Sequence, residues 1–215
     1  MQSSTKTVLA AVCLGACATA PPPEPTGGPR GLRASEHLEV AREHEESARQ
    51  NLVWPAIAVS PDNPNVPWLR AWDATSEDER IAQVHRSEAA AIQAAYEQAC
   101  GSRSHDESAI SPLHRYAVGG WPTQTGVILY LAPDAGPPDR LLADIACHRA
   151  WMMLAPTGMD DCPLDLPGIV VDARGDEHGI TLSIVVRDSK LVDELHRRAA
   201  RELESSEQLH RGESP

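Results

Sequence analysis

Phe is absent from this chain of 215 residues, and aromatic residues of every kind make up only 4% of it. Beyond the N-terminus no apolar run approaches the roughly 18 residues of a membrane-spanning helix, which excludes a helical span there. The sequence lacks a Gly-x-Ser-x-Gly elbow, a phosphate loop, a dinucleotide fingerprint and His-Glu-x-x-His. The common signatures of hydrolase, nucleotide and zinc-peptidase chemistry are therefore missing. Cys-x-x-Cys and His-x-x-x-His spacings are missing as well, so the usual frameworks of a zinc site or a thiol oxidoreductase are not written locally. Positive charge is in deficit: 19 Lys and Arg face 31 Asp and Glu, for a formal charge of −12. That balance argues against nucleic acid and anionic lipid surfaces as partners, because both repel it. It is compatible with a cation or a basic protein partner.

What is present begins with an address. Lys6 precedes the apolar run Val8-Leu9-Ala10-Ala11-Val12, and Leu14-Gly15-Ala16-Cys17 follows. A charge, a short apolar stretch and small residues make a secretory signal, too short to span a bilayer. The Leu-Gly-Ala-Cys order resembles a bacterial lipobox, which implies cleavage after Ala16 and lipidation of Cys17. Each buried methylene contributes about 0.8 kcal/mol, so a multiply acylated cysteine anchors stably. The expected partner is thus a membrane, reached by a lipid anchor. Ala18 after the cysteine resembles the sorting pattern of Gram-negative outer-membrane lipoproteins, and implies a periplasm-facing protein of the cell envelope.

The remaining chain divides by composition. Residues 1–16 read as signal peptide and 17–34 as lipidated cysteine plus tether, since Pro21, Pro22, Pro23, Pro25, Gly27, Gly28 and Pro29 cannot build a core. Residues 35–75 read as a helix, N-capped by Ser35 with an apolar line Leu38, Ala41, Ala48 and Leu52, followed by a connection rich in Pro and holding Trp54, Trp68 and Trp72. His37 and His44 share a face of that helix and read as a solvated polar flank. Ser76 to Glu79 forms a capping box that opens a helix ending at Cys100-Gly101. Its apolar side carries Ile81, Val84, His85, Ala89, Ile92 and Tyr96, with His85 satisfied at the border. His105, in the polar stretch that follows, carries little signal.

Residues 76–203 read as an α+β domain and 204–215 as a frayed polar tail. A short edge strand is expected around Arg115 to Val118. Gly126 to Leu131, apolar on both faces, is expected as an inner strand. A helix over Asp139 to Ala155 and an antiparallel hairpin of Gly168 to Ala173 with Ile180 to Val186 follow. A last helix starts at Asp188 or Ser189. The order predicts a small antiparallel or mixed sheet covered by helices and preceded by an N-terminal helical segment.

Ala99-Cys100, Ser111-Pro112, Cys147-His148, Cys162-Pro163-Leu164 and the strand Ile180 to Val186 together resemble a group of uncharacterised bacterial lipoproteins of proteobacterial and myxobacterial type. The resemblance covers roughly Ser76 to Leu203. It implies the same kind of domain and brings no activity with it.

With Cys13 removed and Cys17 lipidated, the body keeps Cys100, Cys147 and Cys162 in a compartment that oxidises thiols, so two are expected to pair. Cys147 with Cys162 would close a loop worth about 3 kcal/mol in the chain-entropy model. Cys100 with either of them would instead tie two helices. The leftover thiol is then either buried and inert or held by a metal. A soft site of Cys100, Cys162 and either Cys147 or His148, with His114, would suit copper or zinc, although adjacent Cys147 and His148 diverge by about 100° on a helix. Asp160, Asp161 and Asp165 read as a solvated acidic loop. The preferred reading is a non-enzymatic, disulfide-containing binding or structural domain without a cofactor or catalytic residue. The rival is a periplasmic lipoprotein that binds copper or zinc.

Overall fold

The structure is a computed structural model that describes residues 31–53, 66–154, 161–176 and 179–211. The signal peptide, Cys17, nearly all of the tether, Trp54 and Asp160 lie outside the described residues. Two long helices come first, α1 (Ala34–Val53) and α2 (Val66–Cys100), followed by the short helices α3 (His105–Ala109) and α4 (Pro112–Tyr116). Strands β1 (Ala117–Pro122) and β2 (Gly126–Leu131) lead to α5 (Pro138–Leu154). Strands β3 (Ile169–Asp176) and β4 (Gly179–Val186) and the helix α6 (Val192–Arg211) complete the chain. The four strands form one antiparallel sheet in the order β1-β2-β4-β3, so the fold is α+β with β2 inside the sheet, as its apolar character predicts. Among the described residues no helix is long and apolar enough to cross a membrane.

Period-2 alternation places Val127, Leu129 and Leu131 of β2 with Ile180, Leu182, Ile184 and Val186 of β4 on one side of the sheet. There they pack with Leu141, Ile145 and Met152 of α5 and Leu195 and Ala199 of α6, which form the main core. Among the described residues no helix packs on the other side. Ile128 there is half-buried and Tyr130 is 45% exposed beside Trp121, with ring centroids 4.8 Å apart. Among the described residues the sheet is therefore helix-covered on one face, although both faces of β2 are apolar. Gly126 permits a close approach of strands: a Cβ there would lie 2.0 Å from the Ile184 carbonyl oxygen. Just before it, Nε2 of His196 on α6 reaches the carbonyls of Thr123 and Gly126, at 3.1 and 2.8 Å, and pins α6 to the β1–β2 turn.

Several element boundaries differ from expectation. The helix expected from Ser76 begins ten residues earlier, at Val66, so the domain boundary at residue 76 falls inside α2. Pro67 stands in its first turn, where a proline is tolerated because its missing N–H is unneeded. Trp68 and Trp72 lie in this helix rather than in an irregular connection. Ser35 does not cap α1. Glu36 reaches back to accept from the Arg33 amide at 2.6 Å, and the His37 amide donates to the Arg33 carbonyl at 2.9 Å. The edge strand starts at Ala117, because Arg115 and Tyr116 still belong to α4. The tail expected to fray after Glu204 stays helical to Arg211, held by the fully buried Ser206, whose hydroxyl donates to the Ala117 carbonyl at 2.6 Å.

The helical hairpin of α1 and α2 is built on alanine. Ala34, Ala41 and Ala48 are buried against α2, whose buried positions Thr75, Ala82 and Ala89 recur every seven residues, while Leu38 is 53% exposed. The buried line is thus a heptad of small residues and not the predicted line through Leu38. The two histidines predicted to face water instead face α2. His37 is buried with its Nδ1 2.8 Å from Nδ1 of His85, and His44 Nδ1 lies 2.8 Å from the Asp78 carboxylate. Asp78 also accepts from Ser47 at 2.7 Å and Asn51 at 3.0 Å. Those bonds, Ser47 first and then His44, hold its carboxyl below the usual range.

Burial, and then the neighbouring His85, push the His37 pKa down. Above its unfolded value of about 6.5 the group is neutral in both states and adds no pH dependence. As pH falls through that value the unfolded chain takes up a proton that the folded chain refuses, so stability is lost on acidification. The protection factors of the α1 amides, corrected for intrinsic exchange, are expected to fall between about pH 7 and pH 5. The variant His37→Gln should flatten much of that dependence, and an unchanged profile in the variant would assign the effect elsewhere.

Candidate functional site

The sulfur and imidazole residues gather where α2 ends, α5 passes and the segment after residue 160 returns to the sheet. Cys100 closes α2, and Cys147 sits on the side of α5 that packs against it. Their sulfurs are bonded, 2.07 Å apart, with the residues 47 apart in sequence. The pairing is therefore helix to helix, and the alternative of Cys147 with Cys162 does not form. Cys147 turns toward α2, while His148, the next residue on α5, turns toward the Ser108 carbonyl and Cys162.

Cys162 is the free thiol, 3% exposed. Its Sγ lies 3.8 Å from Nε2 of His148, which is 1% exposed. Nδ1 of His148 lies 2.9 Å from the Ser108 carbonyl, which can only accept, so Nδ1 carries the proton and Nε2 is left to accept from the thiol. Burial pushes the Cys162 thiol up to about 12, with the nearby Glu202 carboxyl the next cause. Burial pushes His148 down, against the Ser108 carbonyl bond. Both shifts favour the neutral pair. A catalytic cysteine needs the reverse, a thiolate stabilised by an imidazolium or a helix N-terminus.

Around the pair the polar groups are locked in place. The ring of Trp151 stacks on His148, 5.9 Å between centroids and 13° between planes, and its Nε1 donates to Nδ1 of His105 at 2.8 Å. His105, without apparent signal in the sequence, thus fixes the indole from the start of α3. Arg198 is 1% exposed, donating to Glu194 at 2.5 Å and to the Cys162 carbonyl at 3.1 Å. Burial raises the pKa of Glu202, opposed first by a bond from Ser111. Arg198 and Glu202 carry little signal in the sequence, because both look like surface positions of a charged helix. Only the i,i+4 spacing of Glu194 and Arg198 hinted at a pair.

The metal constellation fares differently. Two of its ligands, Cys100 and Cys147, are spent on each other, and Cys162 and His148 are neutral partners. His114 is half-buried on α4, and its amide donates to Ser111 Oγ at 3.4 Å. Among the described residues no group of three or more His, Cys, Asp and Glu side chains is placed to hold a metal ion. Of the acidic loop, Asp161 pairs with Arg201, and Asp165 is buried with Arg33 at 3.9 Å. Asp165 is thus part of the core boundary and not solvated.

On the outer side of the disulfide lies a cleft of about 190 Å³ bounded by α3, α4 and α5, with Ser108, Cys147 and His148 among its lining. No protein-family model, curated protein or solved structure matches the chain. The chemistry is therefore read from these side chains alone. The group can cross-link, pack and present a polar cleft, but it offers no thiolate, activated base or open ligand set.

Proposed function

We propose that the chain is a lipid-anchored protein of the bacterial cell envelope whose α+β domain is non-enzymatic and works as a binding or structural module. The lipobox at Leu14 to Cys17 and the Pro/Gly-rich stretch to Arg33 support a domain carried on a tether, on the periplasmic side of the outer membrane. One observation carries the rest of the reading. Cys100 and Cys147 are joined, and the remaining thiol, Cys162, is shut away beside a neutral His148. This sulfur holds α2, and with it the α1–α2 hairpin, against the sheet domain, which is what a module that must present a fixed surface requires. The side of the sheet on which no described helix packs, with Trp121, Tyr130 and Val170 at 41%, 45% and 46% exposure, is consistent with contact to another envelope protein.

Thiol counting on the full lipidated chain, purified in detergent, tests the reading, with metal content measured on the same sample. No reactive thiol in the folded protein, one after unfolding, and neither copper nor zinc are expected. Three thiols with near-stoichiometric metal would overturn the proposal in favour of metal binding. The anchor is tested separately: Cys17→Ser should abolish lipid modification and release the chain from the membrane fraction.

A further inference from the structure

The cleft beside the disulfide departs from the charge of the chain as a whole. Three arginines, Arg103, Arg115 and Arg140, line it with two acids, Glu107 and Asp144, in a protein of formal charge −12. Both acids are already committed. Asp144 pairs with Arg103, and Glu107 accepts from the Ser104 amide at 2.9 Å while its own amide donates to Ser104 Oγ at 3.2 Å, closing the capping box of α3. The floor is also satisfied, since Ser108 Oγ donates to the Ser104 carbonyl at 2.9 Å and the Ser108 carbonyl accepts from His148.

Three arginines against two acids leave the cleft one net positive charge, with the Glu107 carboxylate acting on both Arg103 and Arg115. Arg115 lies over the Tyr116 ring, 5.7 Å from its centroid, and neither it nor Arg140 forms an ion pair among the described residues. Arg140 stands in the first turn of α5, where a cation opposes the helix dipole, so helix stability does not account for it. Two guanidinium groups flanking a cleft match an oxyanion, whose oxygens accept their forked donors in pairs. A phosphate monoester carries about −1.5 to −2 at pH 7 and three acceptor oxygens, enough to engage both guanidinium groups in a cleft of net positive charge. The cleft is smaller than the roughly 300 Å³ at which pockets for whole drug-sized ligands begin, so it suits a head group. The rest of the ligand would lie on the rim, where Ile110 is 46% exposed beside Pro112 and Tyr116.

We propose that this cleft binds the phosphate of a phosphate monoester bearing an apolar or aromatic body, with Arg115 and Arg140 as its counter-charges. The proposal rests on the binding reading above and names its ligand class. The acidic charge of the remaining surface is screened beyond about 10 Å at ordinary ionic strength, so the local pair decides.

Calorimetric titration of the full chain in detergent with phenyl phosphate tests it. Saturable one-site binding that weakens with added salt is expected. The double variant Arg115→Gln/Arg140→Gln should lose at least about tenfold in affinity, since charge-assisted bonds are removed. Arg80→Gln, which removes the same charge from an exposed site on α2, should bind like the parent. Absence of binding to folded protein, or equal binding by the double variant, would overturn the site. The disulfide-held binding or structural reading would stand, because the thiol count tests it independently. Competition by dihexanoyl phosphatidic acid, with dihexanoyl phosphatidylcholine as control, separates the sources. Displacement tighter than phenyl phosphate itself supports the site with a lipid headgroup as its ligand, and weaker displacement supports it with a soluble monoester.

Discussion

Removing the disulfide, as Cys100→Ala/Cys147→Ala, is expected to lower the free energy of unfolding by about 4 kcal/mol, the chain-entropy value for a loop of this length. The closed segment spans 47 residues and contains the end of the hairpin, α3, α4, β1, β2 and most of α5, so the unfolded chain gains freedom over the centre of the protein. Urea unfolding followed by circular dichroism measures the change. Cys162→Ala serves as the comparison, because it trims one buried sulfur and leaves the cross-link intact, and should cost only about 1 kcal/mol. Equal losses in Cys162→Ala and the double variant would show that Cys162, and not Cys100, is the partner of Cys147. A loss under about 1 kcal/mol in the double variant would mean that the unfolded state is already restrained by other contacts.

The second large effect is expected at Arg198. Its guanidinium is 1% exposed, bonded to Glu194 and to the Cys162 carbonyl, so it ties α6 to the segment that carries the free thiol. Arg198→Ala should cost about 3 kcal/mol, through lost packing and a buried carbonyl left without its donor. Arg198→Met, which restores the aliphatic volume without the charge, should recover part of that loss, because replacing a buried ion by a well-packed apolar chain is often close to neutral. The same urea experiment distinguishes them. A loss within about 0.5 kcal/mol for the alanine variant, the range of ordinary surface changes, would show that the buried guanidinium carries no structural weight.

The parts of this fold that were legible in the sequence are those with strong periodicity. Gly126 to Leu131, Ile180 to Val186 and the stripe Ile145, His148, Met152 read directly, because alternation and helical spacing report which side is buried. The α1–α2 hairpin was misread because its seam is alanine and histidine. Small residues give a weak hydrophobic signal, and the larger Leu38 and Val84, which periodicity places on the apolar side, are about half exposed. The capping box at Ser76 is a local signal that the longer helix overrides once α2 continues through it. At the candidate site, the residue types were visible and their partners were not. Cysteine pairing depends on how α2 meets α5, and no spacing rule encodes that meeting. The cleft arginines gave no signal at all, since Arg103, Arg115 and Arg140 are scattered across a stretch that folds only when α3 and α4 close over α5.

The direction of the hairpin sets how the protein responds to force. Ala34 at the start of α1 packs against Ala89 and Ile92, near the end of α2, so the two helices run antiparallel and the segment that leads into α1 enters at the cross-linked end. A pull along that segment loads α1 from its first turn and peels it away from α2 one layer of alanine at a time. That geometry yields at lower load than shearing a whole helix at once. The bond at Cys100 stops the extension from passing into the sheet domain. A load applied at that end would be absorbed by the hairpin as a spring, while the cleft and the sheet keep their shape.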